Sequence, residues 1–436
     1  MAKQTVGLYT LGCKVSQYET EAIAEEFLRQ GFAVAPFDTV CDVYVINTCT
    51  VTAESDRKAR QMIRRARQQN GAAFVLVTGC FSQSAPAAVA AIEGVDFVCG
   101  NTNKLAVVEA AMELLARGAK PEKPTLAVGD VDNAPFEPMC ITHFERTRAY
   151  VKIEDGCENR CTYCAIPAAR GRVRSKPLDE VIAEVKGLLA GGCREVVLTG
   201  IETASWGRDL EGVTLIDLLE AVDAIADGAR IRLGSLDPSL MREGFVERLA
   251  ALKHLAPHFH LSIHSGSSKV LAAMKRKYNR DMALSGIARL RSALPHVELT
   301  ADFIVGFPGE SEQDFADTVD FAKKADFLAM HVFAYSKREG TLAAKMSGQI
   351  DTATKKSRSA TLIALGDRLR QGRLEAALKE PVQDVLFESF EEGVALGHTA
   401  AFFEVAVKTP VPLHGEVLPV RLLDVREGKI FGEIVR

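Results

Sequence analysis

The chain has 436 residues, of which 47% are hydrophobic and 25% are charged, and its formal net charge is −4 at pH 7. This composition is typical of a globular protein with large buried cores, and it excludes a disordered chain and a protein that binds nucleic acid through an overall positive charge. The length predicts about three domains, and the absence of an export signal and of a long apolar segment predicts a cytoplasmic protein, so the ten cysteines favour metal or redox chemistry over disulfides.

Residues 1–118 alternate short apolar segments with helical ones. The predicted strands are residues 6–11, 43–46, 74–77 and 95–98, and the predicted helices are residues 18–30, 55–69 and 104–116. Because short buried strands that alternate with helices form parallel sheets, this part predicts an α/β, doubly wound parallel-sheet domain. Residues 119–138 are rich in Pro, Gly, Asp and Lys and are predicted to form a linker.

Six strand–helix units follow in residues 139–368. Their predicted strands are residues 149–154, 195–200, 230–234, 258–263, 299–305 and 328–333. This pattern predicts a partial (β/α)6 TIM-type barrel, in which functional groups collect at the carboxyl ends of the strands. After a long helical stretch the segment 369–436 carries five short strand-like runs, which predict a small antiparallel β-barrel.

Three cysteines form the motif Cys157-x-x-x-Cys161-x-x-Cys164 directly after Gly156. Thiolates are soft ligands that hold iron–sulfur clusters, and a short loop with this spacing can direct three sulfurs to three corners of one cubane. The fourth iron then stays open to a small molecule. The alternative is a structural zinc site, which usually has four ligands arranged in pairs.

Cys13, Cys49 and Cys80 each follow the end of a predicted strand. The carboxyl ends of parallel strands meet at one edge of a sheet, so these thiols could converge on a second metal centre. The alternative is three ordinary buried cysteines, since cysteine is often buried. Cys99 also ends a predicted strand, and a fourth ligand there stays open.

The motifs closely resemble those of the radical S-adenosylmethionine methylthiotransferases, and the resemblance covers nearly the whole chain. The segments that carry it are residues 10–15, 47–52, 78–80, 156–164, 170–175, 302–310 and 335–341. Two residues depart from the family pattern: Ser16 stands where Asn is usual, and His264 stands where Gln is usual.

The resemblance implies two 4Fe-4S clusters and S-adenosyl-L-methionine as cofactors. The cluster on Cys157, Cys161 and Cys164 would reduce the cofactor to give a deoxyadenosyl radical. The second cluster, on Cys13, Cys49 and Cys80, would hold the sulfur to be transferred. The C-terminal barrel would be a TRAM domain that binds RNA.

Three stretches, residues 12–15, 198–201 and 232–238, resemble the branch that acts on N6-threonylcarbamoyladenosine at position 37 of tRNA. The alternatives are methylthiolation of isopentenyladenosine in tRNA or of a ribosomal-protein aspartate, and, from another class, a non-catalytic RNA-binding iron–sulfur carrier or sensor. The expected partners are the tRNA anticodon loop and an electron donor such as flavodoxin or ferredoxin, with no membrane.

The resemblance also suggests cofactor contacts at Thr199, Gly200 and Glu202 and at Gly306, although plain barrel turns are an equal alternative. Arg172 and Arg174 alternate on an extended segment, so we expect them to project the same way, toward the cofactor carboxylate or RNA phosphate. A solvated strand face is the alternative.

Two further rows of side chains have open interpretations. Arg57, Arg60, Arg64 and Arg67 recur at helical spacing and could form a basic stripe that contacts RNA or only water. His258, His260 and His264 share one face of a predicted strand, where we expect polar barrel-lining side chains rather than a metal site.

Overall fold

The computed structural model describes residues 3–144 and 147–435. Its first unit is a parallel sheet flanked by helices. In chain order its elements are β1 (Thr5–Thr10), α1 (Lys14–Arg29), β2 (Ala33–Ala35), β3 (Val43–Thr48), α2 (Ala53–Gln69), β4 (Phe74–Gly79), α3 (Cys80–Ser84), α4 (Pro86–Ala90), β5 (Phe97–Cys99), α5 (Ala106–Arg117) and β6 (Thr125–Ala127). The strand order is β2-β1-β3-β4-β5-β6 and all pairs are parallel, which confirms the predicted doubly wound domain.

Two strands of this sheet were missed by the sequence prediction. β2 and β6 have three residues each and lie at the two edges of the sheet. Neither has the run of buried apolar residues that marks the central strands. β6 lies within residues 119–138, so the segment predicted as a linker contributes a strand.

The second unit is an open barrel of six parallel strands. In chain order its elements are β7 (Arg148–Asp155), α6 (Ile166–Arg170), β8 (Arg174–Ser175), α7 (Leu178–Ala190), β9 (Glu195–Gly200), α8 (Leu215–Asp223), β10 (Arg230–Leu233), α9 (Phe245–Ala250), β11 (His258–His264), α10 (Ser268–Ala273), α11 (Arg280–Ala293), β12 (Glu298–Val305), α12 (Glu312–Ala325) and β13 (Ala329–Ala334). β8 is a short antiparallel addition to β7. The six predicted barrel strands are confirmed. Among the described residues they form two hydrogen-bonded sheets, β10-β9-β7-β8 and β11-β12-β13, which the isolated bridge between Leu236 and Leu261 connects. β13 pairs only with β12 in the described part of the chain, so the barrel is open on one side.

The third unit begins after a long helix. Its elements are α13 (Thr352–Ala377), β14 (Val382–Glu391), β15 (Val394–Thr399), β16 (Glu404–Lys408), β17 (Val417–Arg426) and β18 (Lys429–Ile434). The five strands form the predicted closed barrel in the order β14-β15-β16-β18-β17. The expected domain boundary between residues 368 and 369 falls inside α13.

The small barrel packs against the amino-terminal end of the open one. Phe402 stacks on His258, the first residue of β11, with ring centroids 4.6 Å apart. Arg230, the first residue of β10, donates hydrogen bonds to the carbonyls of Asp384 (2.7 Å) and His398 (3.2 Å). The carboxyl-terminal end of the open barrel therefore stays free for a functional site.

α1 joins the first unit to the open barrel. Its buried side chains Tyr18, Ala22, Ile23 and Phe27 belong to one continuous hydrophobic core that includes side chains of both units. The Tyr18 hydroxyl lies 2.6 Å from the carbonyl of Met139 and 3.0 Å from Oε1 of Glu184. A shared core fixes the relative orientation of the two units. Across residues 3–144 and 147–435, every helix is too short or too polar to span a bilayer.

Candidate active site

The cysteine loop after β7 depends on a backbone conformation that only glycine can adopt here. Gly156 has φ +86°, and a Cβ at this position would lie 1.8 Å from the carbonyl oxygen of Arg172. Next to it, the Cys157 amide donates to the carbonyl of Gly171 at 3.0 Å. The loop is thereby held against Gly171 and Arg172, which lead into β8, and its cysteines lie at the carboxyl end of β7.

The three thiols of this loop line one open cleft of about 320 Å³. Two N–H groups point at their sulfurs: Arg276 Nη1 donates to Sγ of Cys161 at 3.3 Å, and the Ile166 amide donates to Sγ of Cys164 at 3.4 Å. Such donors stabilise negative charge on sulfur. The donor set and the room in front of it fit an iron–sulfur cluster with one open iron.

Burial raises the pKa of the Cys157 and Cys164 thiols to about 12. Without a metal both are therefore neutral at pH 7, and both can become thiolate ligands only when a bound cation compensates the charge. This is the behaviour expected of a metal centre that assembles on the folded chain.

The structure brings Cys13, Cys49 and Cys80 to the carboxyl-terminal edge of the parallel sheet. Cys49 directly follows β3, Cys80 directly follows β4, and Cys13 caps the N-terminus of α1. A Cβ on Gly12 would lie 3.5 Å from Sγ of Cys49, which places the Cys13 loop against that thiol. The pKa of Cys49 is raised to about 11, mainly by burial, and the neighbouring Cys80 and Cys13 add to the shift.

One arginine connects the two groups of cysteines. Arg170, at the end of α6, is fully buried, and its Nε donates to Sγ of Cys80 at 3.2 Å. Its Nη1 lies 3.2 Å from Asp155, the second residue before Cys157, and its Nη2 donates to Glu19 of α1 at 3.1 Å. The same carboxylates also pair with two buried lysines, Lys104 and Lys152. The result is a buried ionic network at the interface between the two units.

The predicted cofactor contacts after β9 lie beside the cysteine loop. The Glu202 amide donates to Oε2 of Glu154 at 2.7 Å, and Oε2 of Glu202 accepts a hydrogen bond from Asn159 of the loop at 2.6 Å. Burial, reinforced by Asp237, raises the pKa of Glu202 to about 7. Thr199 is buried, whereas Gly200 is partly exposed with Glu154 packed against its Cα.

Gly306 and the two arginines have different environments. Gly306 follows β12 with φ +72°, and its amide donates to the carboxylate of Glu310. Arg172 is exposed and lines the cleft of the three cysteines. Arg174 is buried, and it donates to the carbonyls of Val131 (3.1 Å) and Arg170 (2.8 Å). The expectation that both arginines project the same way is therefore wrong, and the burial of Arg174 argues against a contact with cofactor or RNA.

The predicted histidine row divides into separate contacts. His264, with φ +63°, lies at the end of β11, where its Nδ1 is 3.3 Å from the Tyr163 hydroxyl. His260 lies deeper in the barrel, and its Nε2 is 3.1 Å from Oδ1 of Asp302. His331 of β13 approaches the same oxygen at 3.2 Å. Both contacts with Asp302 are poorly aligned for hydrogen bonds. His260, Asp302 and His331 thus bring one possible ligand atom each to within 4.8 Å of one another, and a polar barrel lining here stays a prediction.

The predicted basic stripe lies on α2, which starts near Cys49. Several of its guanidinium groups have partners within the protein: Arg57 pairs with Glu54, Arg67 donates to the Gly71 carbonyl, and Arg60 lies over the Phe81 ring. Elsewhere in the sheet, the Cys99 thiol donates to the Asn103 carbonyl at 2.8 Å and belongs to the hydrophobic core. The environment of Cys99 is that of a core thiol rather than a ligand.

Sequence reasoning missed three residues that contact the cysteines or their surroundings. Arg170 and Arg276 reach thiols 90 and 115 residues away in sequence, and such distant contacts leave no local signal. Lys14 could have been noticed, since it follows Cys13 directly. Its Nζ crosses to the open barrel and donates to the carbonyl of Gly234 at 3.0 Å.

Comparisons with known proteins agree with this architecture. Residues 151–322 match the radical SAM superfamily, and residues 5–100 match the uncharacterized protein family UPF0004. The solved structure of the radical S-adenosylmethionine methyltransferase TsrM from Kitasatospora setae, with cobalamin and a [4Fe-4S] cluster bound, has a TM-score of 0.56 at 16% identity. The match covers 76% of this chain and 72% of that chain, and it supports the fold. The fold and the cysteine loop together define a radical SAM enzyme.

The sequences of known relatives identify the family within this class of enzymes. The threonylcarbamoyladenosine tRNA methylthiotransferase MtaB of Bacillus subtilis is 39% identical over 99% of this chain and 96% of its own length. The tRNA-2-methylthio-N(6)-dimethylallyladenosine synthase of Carboxydothermus hydrogenoformans is 31% identical over 99% of this chain and 98% of its own length. The chain belongs to the radical SAM methylthiotransferase family, whose members use S-adenosylmethionine and two [4Fe–4S] clusters.

Proposed function

We propose that this protein converts N6-threonylcarbamoyladenosine at position 37 of tRNA to its 2-methylthio derivative. The observation that carries the proposal is the 39% identity to the Bacillus subtilis MtaB over 99% of the chain, against 31% for the dimethylallyladenosine enzyme. Because the substrate is tRNA, the reaction belongs in the cytoplasm.

The six cysteines are proposed as ligands of two clusters, Cys157, Cys161 and Cys164 for one and Cys13, Cys49 and Cys80 for the other. When bound with S-adenosylmethionine, these groups supply a one-electron reduction, a carbon-centred radical and a transferable sulfur. Such chemistry suits an unactivated aromatic C–H bond, which acid–base groups alone cannot deprotonate at neutral pH.

The side chains around the first cysteine loop have assigned roles in this proposal. Glu202 accepts hydrogen bonds from the amino group of the methionine part of the cofactor, and Thr199 and Gly200 form the adjacent turn. Gly306 borders the adenine side of the cofactor. Arg172, which lies in the cysteine cleft, binds the cofactor carboxylate. Each group is supported by its position at the carboxyl end of the barrel.

The RNA substrate and the reductant approach from outside. We propose that the anticodon loop binds at the junction of the first unit and the barrel, and that the target base leaves its stack to reach the cysteines. The closed β14–β18 barrel acts as an RNA-binding TRAM domain. A small electron carrier such as flavodoxin or ferredoxin supplies electrons.

The test uses a bacterial strain that lacks its own threonylcarbamoyladenosine methylthiotransferase. Expression of this chain should restore the 2-methylthio-threonylcarbamoyl nucleoside in digested tRNA, measured by mass spectrometry, and the triple variant Cys157→Ala, Cys161→Ala, Cys164→Ala should not. Restoration of only a methylthio-isopentenyl nucleoside in a strain lacking that activity would move the assignment to the other tRNA branch.

The same protein distinguishes an enzyme from a non-catalytic iron–sulfur carrier. Reduced, cluster-loaded protein incubated with S-adenosylmethionine should release deoxyadenosine. A carrier or sensor would release none.

A further inference from the structure

A cavity lined by charged, polar and apolar residues lies inside the open barrel, next to Lys14 of the first unit. Its volume is about 350 Å³, and it extends from Lys14 and Gly234 at one end to Phe402 at the other. Its wall is formed by residues of all six parallel barrel strands, including Arg148, Val197, Arg232, His258, Thr300 and His331. Because Lys14 directly follows Cys13, one end of the cavity lies beside the proposed sulfur-holding site.

Two buried nitrogen atoms of residues that line this cavity have no hydrogen-bond partner among the described residues. Nη1 of Arg232 and Nδ1 of His258 are both buried without a hydrogen-bond partner, although the side chains of these residues are only 3% and 5% exposed. Buried polar groups are nearly always paired, so two such atoms in one cavity call for a ligand. The Arg232 nitrogen is always a donor, and Nδ1 of His258 is a donor in the tautomer in which its Nε2 accepts from the Thr300 hydroxyl, so in that tautomer the missing partner of both is an acceptor.

Lys14 adds a positive charge to these donors. Its ammonium donates to the carbonyl of Gly234, and it has no carboxylate within ion-pair distance in residues 3–144 and 147–435. An ammonium has three donors, so the carbonyl leaves two of them for a ligand. Asp302 attracts this ammonium only from beyond ion-pair distance, and Arg148 and Arg232 repel it, so the site favours an anionic ligand.

The carboxylates around the cavity are already paired with other groups. Glu195 accepts a bidentate contact from Arg232, at 2.7 and 3.1 Å. Asp302 lies between two imidazoles, and Glu404 is 3.0 Å from Lys429. Arg232 and Lys429 neutralise Glu195 and Glu404, and no carboxylate among the described residues lies within ion-pair distance of Lys14, so its charge is left for an incoming anion.

We propose that this cavity binds the threonylcarbamoyl substituent of the target adenosine, with Lys14 pairing with its carboxylate. The inference rests on the proposed function. The substituent carries a carboxylate, a hydroxyl and a ureido carbonyl, which supply the acceptors that Lys14, Arg232 and His258 lack. A dimethylallyl group supplies none and would leave these donors buried and unpaired, which is how a polar site rejects an apolar analogue.

The experiment measures RNA binding to cluster-loaded protein under anaerobic conditions, without S-adenosylmethionine or reductant. Three anticodon stem-loop RNAs are compared, in which residue 37 carries the threonylcarbamoyl group, the same group with its carboxylate converted to a carboxamide, or an isopentenyl group. A charge-assisted hydrogen bond predicts about ten- to a hundredfold tighter binding of the carboxylate RNA than of the carboxamide RNA.

The variant Lys14→Met should abolish this preference while its iron content stays at that of the wild type. Lys120→Met is a control for the loss of a partly buried lysine outside the barrel, where Lys120 donates to the carbonyl of Ala73 and pairs with Asp96. It should keep the preference. The carboxamide comparison on the wild-type protein tests the inference even if Lys14→Met does not fold.

The results of these experiments distinguish a failure of the cavity assignment from a failure of the proposed function. If the wild type methylthiolates the threonylcarbamoyl RNA but binds the carboxylate and carboxamide forms equally, the cavity assignment is overturned and the proposed function stands. A Lys14→Met variant that weakens both forms equally also overturns it. If only the isopentenyl RNA is methylthiolated, the proposed function fails and the cavity assignment fails with it.

Discussion

Nε of Arg170 lies 3.2 Å from Sγ of Cys80, although Arg170 belongs to the open barrel and Cys80 to the parallel-sheet unit. The same guanidinium contacts Asp155, two residues before Cys157, and Glu19 of α1. One side chain thus links the two groups of cysteines. A fully buried ionic contact of this kind holds the two groups of cysteines at a fixed separation.

Arg170→Met should destabilise the protein strongly. It leaves Glu19 and Asp155 buried with less compensating charge, and breaking one side of a buried ion pair costs about 3–5 kcal/mol. Urea unfolding of the cluster-free protein measures the change. Arg172→Met, at an exposed arginine two residues away, should stay within about 0.5 kcal/mol of the wild type. Equal unfolding midpoints for the two variants would show that the network contributes nothing.

Gly156→Ala should prevent the cysteine loop from forming as observed. Its Cβ would meet the Arg172 carbonyl at 1.8 Å, and φ at this position is +86°. We expect loss of the iron held by the loop, measured by iron analysis after anaerobic reconstitution.

Gly187→Ala is the matched control for this substitution. Gly187 lies in α7, and a Cβ there meets no atom within 4 Å. It should keep its iron and gain about 0.5–1 kcal/mol of stability from the better helix propensity of Ala. Full iron content in Gly156→Ala would contradict the structural requirement for glycine.

The sequence predicted the parts of this site that depend on local pattern. Cys157, Cys161 and Cys164 lie on one loop. Cys13, Cys49 and Cys80 each follow a strand, and because these strands are parallel, the three residues lie at one edge of the sheet. The prediction failed for Arg174, since the direction of its side chain is set by a hydrogen bond to the carbonyl of Val131, 43 residues away. The pairing of Asp302 with His331 was likewise invisible, because side chains on neighbouring strands meet only when the register is known.

Replacement of Cys157, Cys161 and Cys164 by Ala should leave about four irons per chain, since the other three cysteines are proposed to hold a separate cluster. The complementary triple variant at Cys13, Cys49 and Cys80 should also retain about four. Iron and sulfide analysis of anaerobically reconstituted protein gives these numbers. A complete loss of iron in either variant would mean that the two groups do not form independent centres.

His331 should contribute to stability only at low pH. Its contact with Asp302 raises its pKa above the ordinary value of 6.5. The contribution is therefore fully present below about pH 6.5 and is lost as the pH rises through the folded-state pKa. The side chain is half-exposed, so the effect should stay below about 1 kcal/mol.

Urea midpoints of the wild type and His331→Gln at pH 5.5 and 8.5 measure this contribution. At pH 5.5 the wild type should be more stable than His331→Gln, and at pH 8.5 this difference between the two proteins should vanish. His414→Gln, at an exposed histidine whose Nδ1 contacts a carbonyl, serves as the control. A difference that persists at pH 8.5 would assign the effect to packing instead of charge.

Phe402→Ala should loosen the small barrel from the open one. The Phe402 ring stacks on His258 and His398 and lies under the guanidinium groups of Arg148 and Arg232. Its removal takes away these aromatic and cation–π contacts together, at a cost of about 3 kcal/mol. We expect faster proteolysis between α13 and β14, since the small barrel then moves independently. Phe431→Ala is the control, since Phe431 lies in the same barrel under the guanidinium group of Arg426. This substitution removes an aromatic contact within the small barrel but leaves the Phe402 contacts intact, so the cleavage rate should stay unchanged.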